Sequence, residues 1–156
     1  MNLLITGAAG NLGSHLARYL IESNRAVPES MNDQSDAQSA RTAQSSLAPQ
    51  NLHHLKLLIH RHEPFADITA APNVTIYHAD LAEPASLKEP CKGADCIIHF
   101  AGILFAPRPE KFLPETNTHY ARNLIDAALA AGVKKFIIVS FPHVEGESTP
   151  EHPAKG

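Results

Sequence analysis

Two rhythms of apolar and polar positions run along this chain. Asn2 to Thr6 is a short apolar run with β-branched content that ends at a glycine, which predicts a buried strand. In residues 11–22, Leu12, Leu16, Tyr19 and Leu20 recur at i, i+4, i+7 and i+8, one stripe of an amphipathic helix. The strand rhythm returns at Leu55–His60, Val74–His78, Asp95–Phe100 and Lys135–Ser140. Pro84 to Cys91 predicts a short helix, with Pro84 suited to its first position. A long helix is expected from about Glu115 to Ala131. Tyr120, Ala121, Leu124, Ile125 and Ala128 form its stripe, and Gly132 stands where a C-terminal cap belongs.

The rhythm lapses from about residue 24 to 52. This stretch is rich in Ser and Gln and poor in large apolar residues, so it buries too little surface to offset its ordering entropy. Connections in α/β units run about 2 to 6 residues, so it reads as a mobile insertion. Residues 141–156, with Pro142, Pro150 and Pro153, read as loop.

Strands that are apolar throughout and alternate with helices imply a parallel sheet covered on both faces. The expected fold is α/β, a doubly wound parallel sheet of about five strands. Its ligand crevice lies beyond the carboxyl ends of the strands. Residues 7–13, 61–64, 79–83, 101–109 and 141 onward would line that crevice. The insertion leads from a helix into a strand and belongs at the opposite end.

Composition narrows the partners. The chain has 156 residues and a formal net charge of -3, with no basic excess to suggest nucleic acid. It has no apolar run of membrane-spanning length, and Met1-Asn2-Leu3-Leu4-Ile5 lacks the basic start of a signal peptide. Cys91 and Cys96 are not a C-x-x-C pair and read as reduced thiols, so a cytoplasmic location is expected.

The chemistry concentrates in Thr6-Gly7-Ala8-Ala9-Gly10-Asn11-Leu12-Gly13, which follows the first strand and opens the first helix. Glycines permit a tight turn and leave no side chain between backbone and ligand. The helix start then offers free N–H groups and a positive dipole end to a pyrophosphate. The string is not a P-loop, because no Gly-Lys-Ser/Thr follows. It resembles the cofactor loop of the short-chain dehydrogenase/reductases, in particular the extended and atypical members: the NAD-dependent epimerases and dehydratases and the NmrA-like proteins. The resemblance implies a Rossmann domain whose cofactor is held by Gly7, Ala9, Gly10, Asn11, Leu12 and Gly13. His78-Ala79-Asp80-Leu81 is similar to the family's Asp-Leu after the third strand, which implies that Asp80 and Leu81 meet the adenine. Ile97-Ile98-His99-Phe100-Ala101-Gly102 resembles the fourth-strand ending beside the cofactor ribose, adding Ala101 and Gly102. Asn117 matches the asparagine that opens the family's central helix pattern and is read as structural. Each has a plainer reading too. Asp80 could cap the turn before Pro84, and His99 reads as a satisfied core histidine rather than a base.

An acidic residue at the end of the second strand favours NAD, and an arginine there favours NADP, whose 2′-phosphate it pairs. The chain has His60-Arg61-His62-Glu63. The planar cation of Arg61 points to NADP, with Glu63 as the competing residue. Ten histidines raise the question of a metal. However, His60 and His62, or His53 and His54, have no Cys or carboxylate at zinc-like spacing, so no metal is expected. There is no G-x-S-x-G elbow for a hydrolytic triad either.

The family's catalytic pair is Tyr-x-x-x-Lys. Here Tyr19 is followed at the fourth position by Ser23, Tyr77 by Leu81 and Tyr120 by Leu124. No catalytic residue is assigned, and Phe141 and Pro142 stand where the family has hydroxyls beside Ser140. Residues 1–156 therefore read as a cofactor-binding half without a C-terminal substrate domain, inactive alone. Three functions stay open: part of an oxidoreductase or epimerase-like enzyme, a non-catalytic NADPH-sensing module, or a truncated remnant that binds nothing. A homodimer or a protein partner is compatible with each.

Overall fold

The computed structural model describes residues 1–25, 52–102 and 114–139. Its elements run in chain order. Strand β1 spans Asn2–Thr6, helix α1 Asn11–Arg25, β2 His54–Ile59, α2 Ala66–Thr69 and β3 Val74–His78. A single 3-10 turn, Pro84–Leu87, leads into α3, Lys88–Cys91. Then come β4, Cys96–His99, a π-type turn at Pro114–His119 running into α4, Tyr120–Ala130, and finally β5, Lys135–Ile138.

All pairings are parallel and the strand order is β3-β2-β1-β4-β5. β1 is the middle strand because its side chains are apolar on both faces. Leu3 and Ile5 point to one side, with Leu55, Leu57 and Cys96 of the neighbouring strands, under Ala17 and Ile21 of α1 and Ile68 of α2. Leu4 points to the other, with Leu58 and Ile97, under Leu87, Cys91, Leu124 and Ala128. Each such Leu or Ile contributes about 1.5–3 kcal/mol relative to exposure. The doubly wound sheet expected from the sequence is thus the fold observed. Both thiols are free and buried, and burial pushes Cys91 up to about 11.

Among the described residues the core contains one charged side chain. Lys56 on β2 is only 6% exposed, beneath α3. Its ammonium donates to the carbonyls of Lys92 (2.7 Å) and Glu89 (3.4 Å) and lies 4.8 Å from the Tyr77 ring centre. A cation at the end of a short helix satisfies carbonyls that the helix leaves unpaired.

Several boundaries differ from the periodicity, each for a local reason. Helix α1 runs past residue 22 to Arg25. The Asn24 amide donates to the carbonyl of His53 (2.6 Å) and accepts from its N–H (3.0 Å), tying the last turn to the start of β2. The flanks of the expected insertion therefore lie at the amino ends of the strands, and residues 26–51 fall outside the described residues. β2 begins one residue early, at His54, because the N–H of His54 bonds the Met1 carbonyl (3.0 Å) beside β1. The central helix opens as a π-type turn instead of an α-turn. α2 has only four residues, too few to show a period. Gly132 adopts φ +71, and the N–H of Val133 reaches back to Ala128 (3.0 Å), the helix end expected there.

On β5 the expectation of cover on both faces meets an exception. β5 is an edge strand, and Ile137 and Ile138 are 41% and 50% exposed. Ser140 and the residues after it lie outside the described residues.

Candidate functional site

The carboxyl ends of β1 and β4 are the switch point of this sheet, where the chain turns from building leftward to building rightward. A cleft of about 560 Å³ opens there. Its floor is the loop after β1. Gly7 has φ +72, and a Cβ on it would lie 2.9 Å from the Ala101 nitrogen and 3.0 Å from the Phe100 carbonyl carbon. Only glycine lets this loop press against the end of β4. The N–H of Gly10 closes the turn on the Gly7 carbonyl (2.9 Å), and that of Ser14 bonds the Gly10 carbonyl (2.9 Å) as α1 begins. A Cβ on Gly13 would sit 2.3 Å from the Gly7 carbonyl oxygen, so the first turn of α1 packs directly on the loop. The floor thus presents backbone and a helix start where side chains would otherwise stand, the arrangement that admits a pyrophosphate.

A buried hydrogen bond fastens this floor across the switch point. Thr6 Oγ1 lies 2.7 Å from His99 Nδ1 and accepts from the N–H of Ala101 (3.3 Å). Thr6 is fully buried and His99 only 3% exposed. Burial pushes His99 down to about 4, so the imidazole is neutral at ordinary pH. With Ala101 donating to Thr6, the threonine hydroxyl can in turn donate to Nδ1, so Thr6 at the end of β1 is tied twice to the end of β4. His99 therefore behaves as a core histidine with a tie to the loop.

The rim is polar. Arg61, His60 and His62 follow β2 and line the cleft, facing Asp80 and Leu81 after β3. One oxygen of Asp80 lies 3.3 Å from His60 Nε2, and the other accepts from the N–H of Ala82 (2.9 Å). Asp80 thus caps its own turn with one oxygen and stands beside His60 with the other, both residues lining the cleft. Glu63 does not line the cleft; its carboxylate lies 3.8 Å from His78 Nε2.

Of the residues singled out from the sequence, Gly7, Ala9, Gly10, Arg61, Asp80, Leu81, Ala101 and Gly102 come together around this one cleft. Asn11, Leu12 and Gly13 do not line it. Leu12 is 61% exposed on α1, and Gly13 lies beneath the loop. Asn117 stands against Gly102, where a Cβ would be 3.3 Å from its Oδ1. Thr116 and Tyr120 also line the cleft, one helical turn apart, and sequence reasoning missed them. Tyr120 fitted the apolar stripe of its helix, and only the docking of that helix turns it toward the crevice. Its side-chain neighbour Asn123 shows how, donating to the Leu81 carbonyl (2.9 Å). Among the described residues no group of three or more His, Cys, Asp or Glu side chains could hold a metal. No helix among them is long and apolar enough to cross a membrane.

Comparison with known proteins bears on the same elements. Residues 3–155 match the NAD dependent epimerase/dehydratase family. The chain is 31% identical over 160 residues to dTDP-glucose 4,6-dehydratase of Streptomyces antibioticus, covering 97% of this chain and 42% of that protein. It is 27% identical over 152 residues to 3 beta-hydroxysteroid dehydrogenase type 7 of Homo sapiens, covering 96% and 35%. The crystal structure of uronate dehydrogenase from Agrobacterium tumefaciens superposes with a TM-score of 0.62 at 25% identity, covering 98% of this chain and 47% of that one. The chain thus spans less than half the length of each.

Proposed function

This chain belongs to the NAD-dependent epimerase/dehydratase family, and from that premise we propose that its cleft holds a nicotinamide adenine dinucleotide, with NADP(H) preferred over NAD(H). The observation that carries the preference is the placement of two charges. Arg61 stands on the rim, while Glu63, the competing residue, is turned to His78 away from the cleft. A guanidinium there meets a 2′-phosphate; a carboxylate would meet a ribose hydroxyl.

The fit of the dinucleotide rests on the floor. A side chain on Gly7 or Gly13 would collide with backbone, so these glycines keep the loop packed low, and the cleft above it is lined from the glycine loop to Ala101 and Gly102. The loop and the start of α1 would hold the pyrophosphate, Arg61 and Asp80 the adenosine side, and Ala101 and Gly102 the other ribose. When bound, the nicotinamide supplies hydride transfer. This chain's own contribution is to bind and orient, because none of its tyrosines carries a lysine four residues on. For the whole protein we propose an oxidoreductase or epimerase-like reaction of the kind its family name describes. The buried free thiols suit a reducing compartment such as the cytoplasm.

Calorimetric titration with NADPH and NADH tests the reading. NADPH is expected to bind more tightly than NADH. Failure of both to bind at millimolar concentration would remove the cofactor reading, and tighter binding of NADH would remove the preference.

A further inference from the structure

The cleft has an aromatic residue that the cofactor reading leaves unused. Tyr120 opens α4 and is the one tyrosine among the cleft residues; Tyr19 is 67% exposed on α1, and Tyr77 lies on β3 beside Lys56. Its position is fixed from behind. Asn123, one turn further along α4, donates to the carbonyl of Leu81 (2.9 Å), holding the start of this helix against the loop after β3. Leu81 and Tyr120 thus both line the cleft, held together through Asn123. Between them they offer an apolar surface with one flat ring.

We propose that Tyr120 is the base-holding residue of the cleft, its ring packing against the adenine of the bound dinucleotide. This rests on the cofactor reading above. The pyrophosphate position at the glycine loop and the 2′-phosphate position at Arg61 place the adenosine over the ends of β2 and β3. The base then lies beyond the ribose, next to Leu81 and Tyr120. A purine is flat and apolar on its faces with a polar edge. An aromatic ring stacks on any such face, and the carboxylate of Asp80 is available to an edge amino group. Thr116, one turn before Tyr120, lines the same cleft and limits where the base can slide.

The experiment compares Tyr120→Ala, Tyr120→Leu and Tyr120→Phe in the full chain, with NADPH, ADP-ribose and nicotinamide mononucleotide as calorimetric probes. Base stacking is worth about 1–3 kcal/mol, so Ala and Leu should weaken NADPH and ADP-ribose about ten-fold or more, and Phe by about two-fold at most. Nicotinamide mononucleotide should be indifferent to all three. The chain has 3 tyrosines and no tryptophan, so its ultraviolet emission comes from tyrosine alone. ADP-ribose should quench that emission in the parent and no longer in Tyr120→Phe, although Phe still binds. A Leu variant binding as well as Phe would show that no flat ring is needed and overturn the proposal. A Phe variant as weak as Ala would assign the effect to the hydroxyl and overturn it equally. Should Ala fail to fold, the Leu and Phe pair decides alone. If the parent binds NADPH and the variants match it, only this inference falls; if the parent binds no dinucleotide, the cofactor reading falls and takes this inference with it.

Discussion

The floor and the rim of the cleft are built on opposite principles. The floor is backbone against backbone. Gly7 meets Ala101, Gly13 meets the Gly7 carbonyl, and the buried Thr6–His99 hydrogen bond ties the two strands below. The rim is side chains in contact with water. His60 and Asp80 are 49% and 38% exposed and 3.3 Å apart, and Glu63 and His78 are more exposed still. In the floor sterics and desolvation act at full strength, since there is no solvent to take up a misfit. At the rim, water and salt screen each charge, so a charge there selects between ligands more than it supports the fold. The floor should therefore decide whether a dinucleotide binds, and the rim which one.

The largest effect that could break this contrast is at Gly13. A Cβ 2.3 Å from a carbonyl oxygen forces the loop and helix apart. Gly13→Ala is expected to lower stability by about 3 kcal/mol or more and to abolish binding of both NADPH and NADH, read by urea denaturation and calorimetry. If the variant binds normally, the floor is not rigid.

Next is the pH dependence of the floor. The unfolded chain protonates His99 near its ordinary pKa of 6.5, the folded one only near about 4. Stability from this group is thus complete above pH 6.5 and falls as the pH drops toward 4, by about 3 kcal/mol at most. His99→Phe should remove that part of the slope. Melting curves of parent and variant between pH 4 and pH 7 are the check, and parallel slopes would show that His99 carries a proton in the fold.

At the rim, Arg61→Ala should weaken NADPH about ten-fold and leave NADH within about two-fold. Equal loss for both nucleotides would move Arg61 from the selecting rim to general binding. The smallest effect is expected at Glu63→Gln, where loss of an exposed pair 3.8 Å apart should change stability by less than about 0.5 kcal/mol in urea and leave nucleotide preference unaltered. A swing toward NADPH on that change would mean that Glu63 reaches the ligand after all.

The fold was largely legible because strand and helix periods were clean where burial is two-sided. Leu3, Leu4 and Ile5 are apolar in succession because both faces of β1 are covered, and the third strand ran over the same residues, Val74–His78, that the sequence marked. The glycine loop was legible for a different reason, since its glycines answer to backbone contacts that allow no other residue. What escaped were features that depend on a partner. Lys56 interrupts an apolar strand, and only the carbonyls of Glu89 and Lys92 make sense of it. Asp80 could be read as cap or ligand group, and the structure shows one oxygen capping the turn and the other beside His60 on the cleft rim.

By itself, then, the sequence determined the five strands and the longer helices, the parallel winding and the place of the glycine loop, because these follow from local period and from steric demands within a few residues. Tertiary structure decided which polar side chains face the cleft. Arg61 lines it and Glu63 does not, although they are two residues apart, and Tyr120 lines it although its helical stripe predicted core. Those outcomes depend on how β2, the loop after β3 and α4 meet, through contacts such as that of Asn123 with Leu81 between residues 42 apart in sequence, and no local pattern encodes such a meeting.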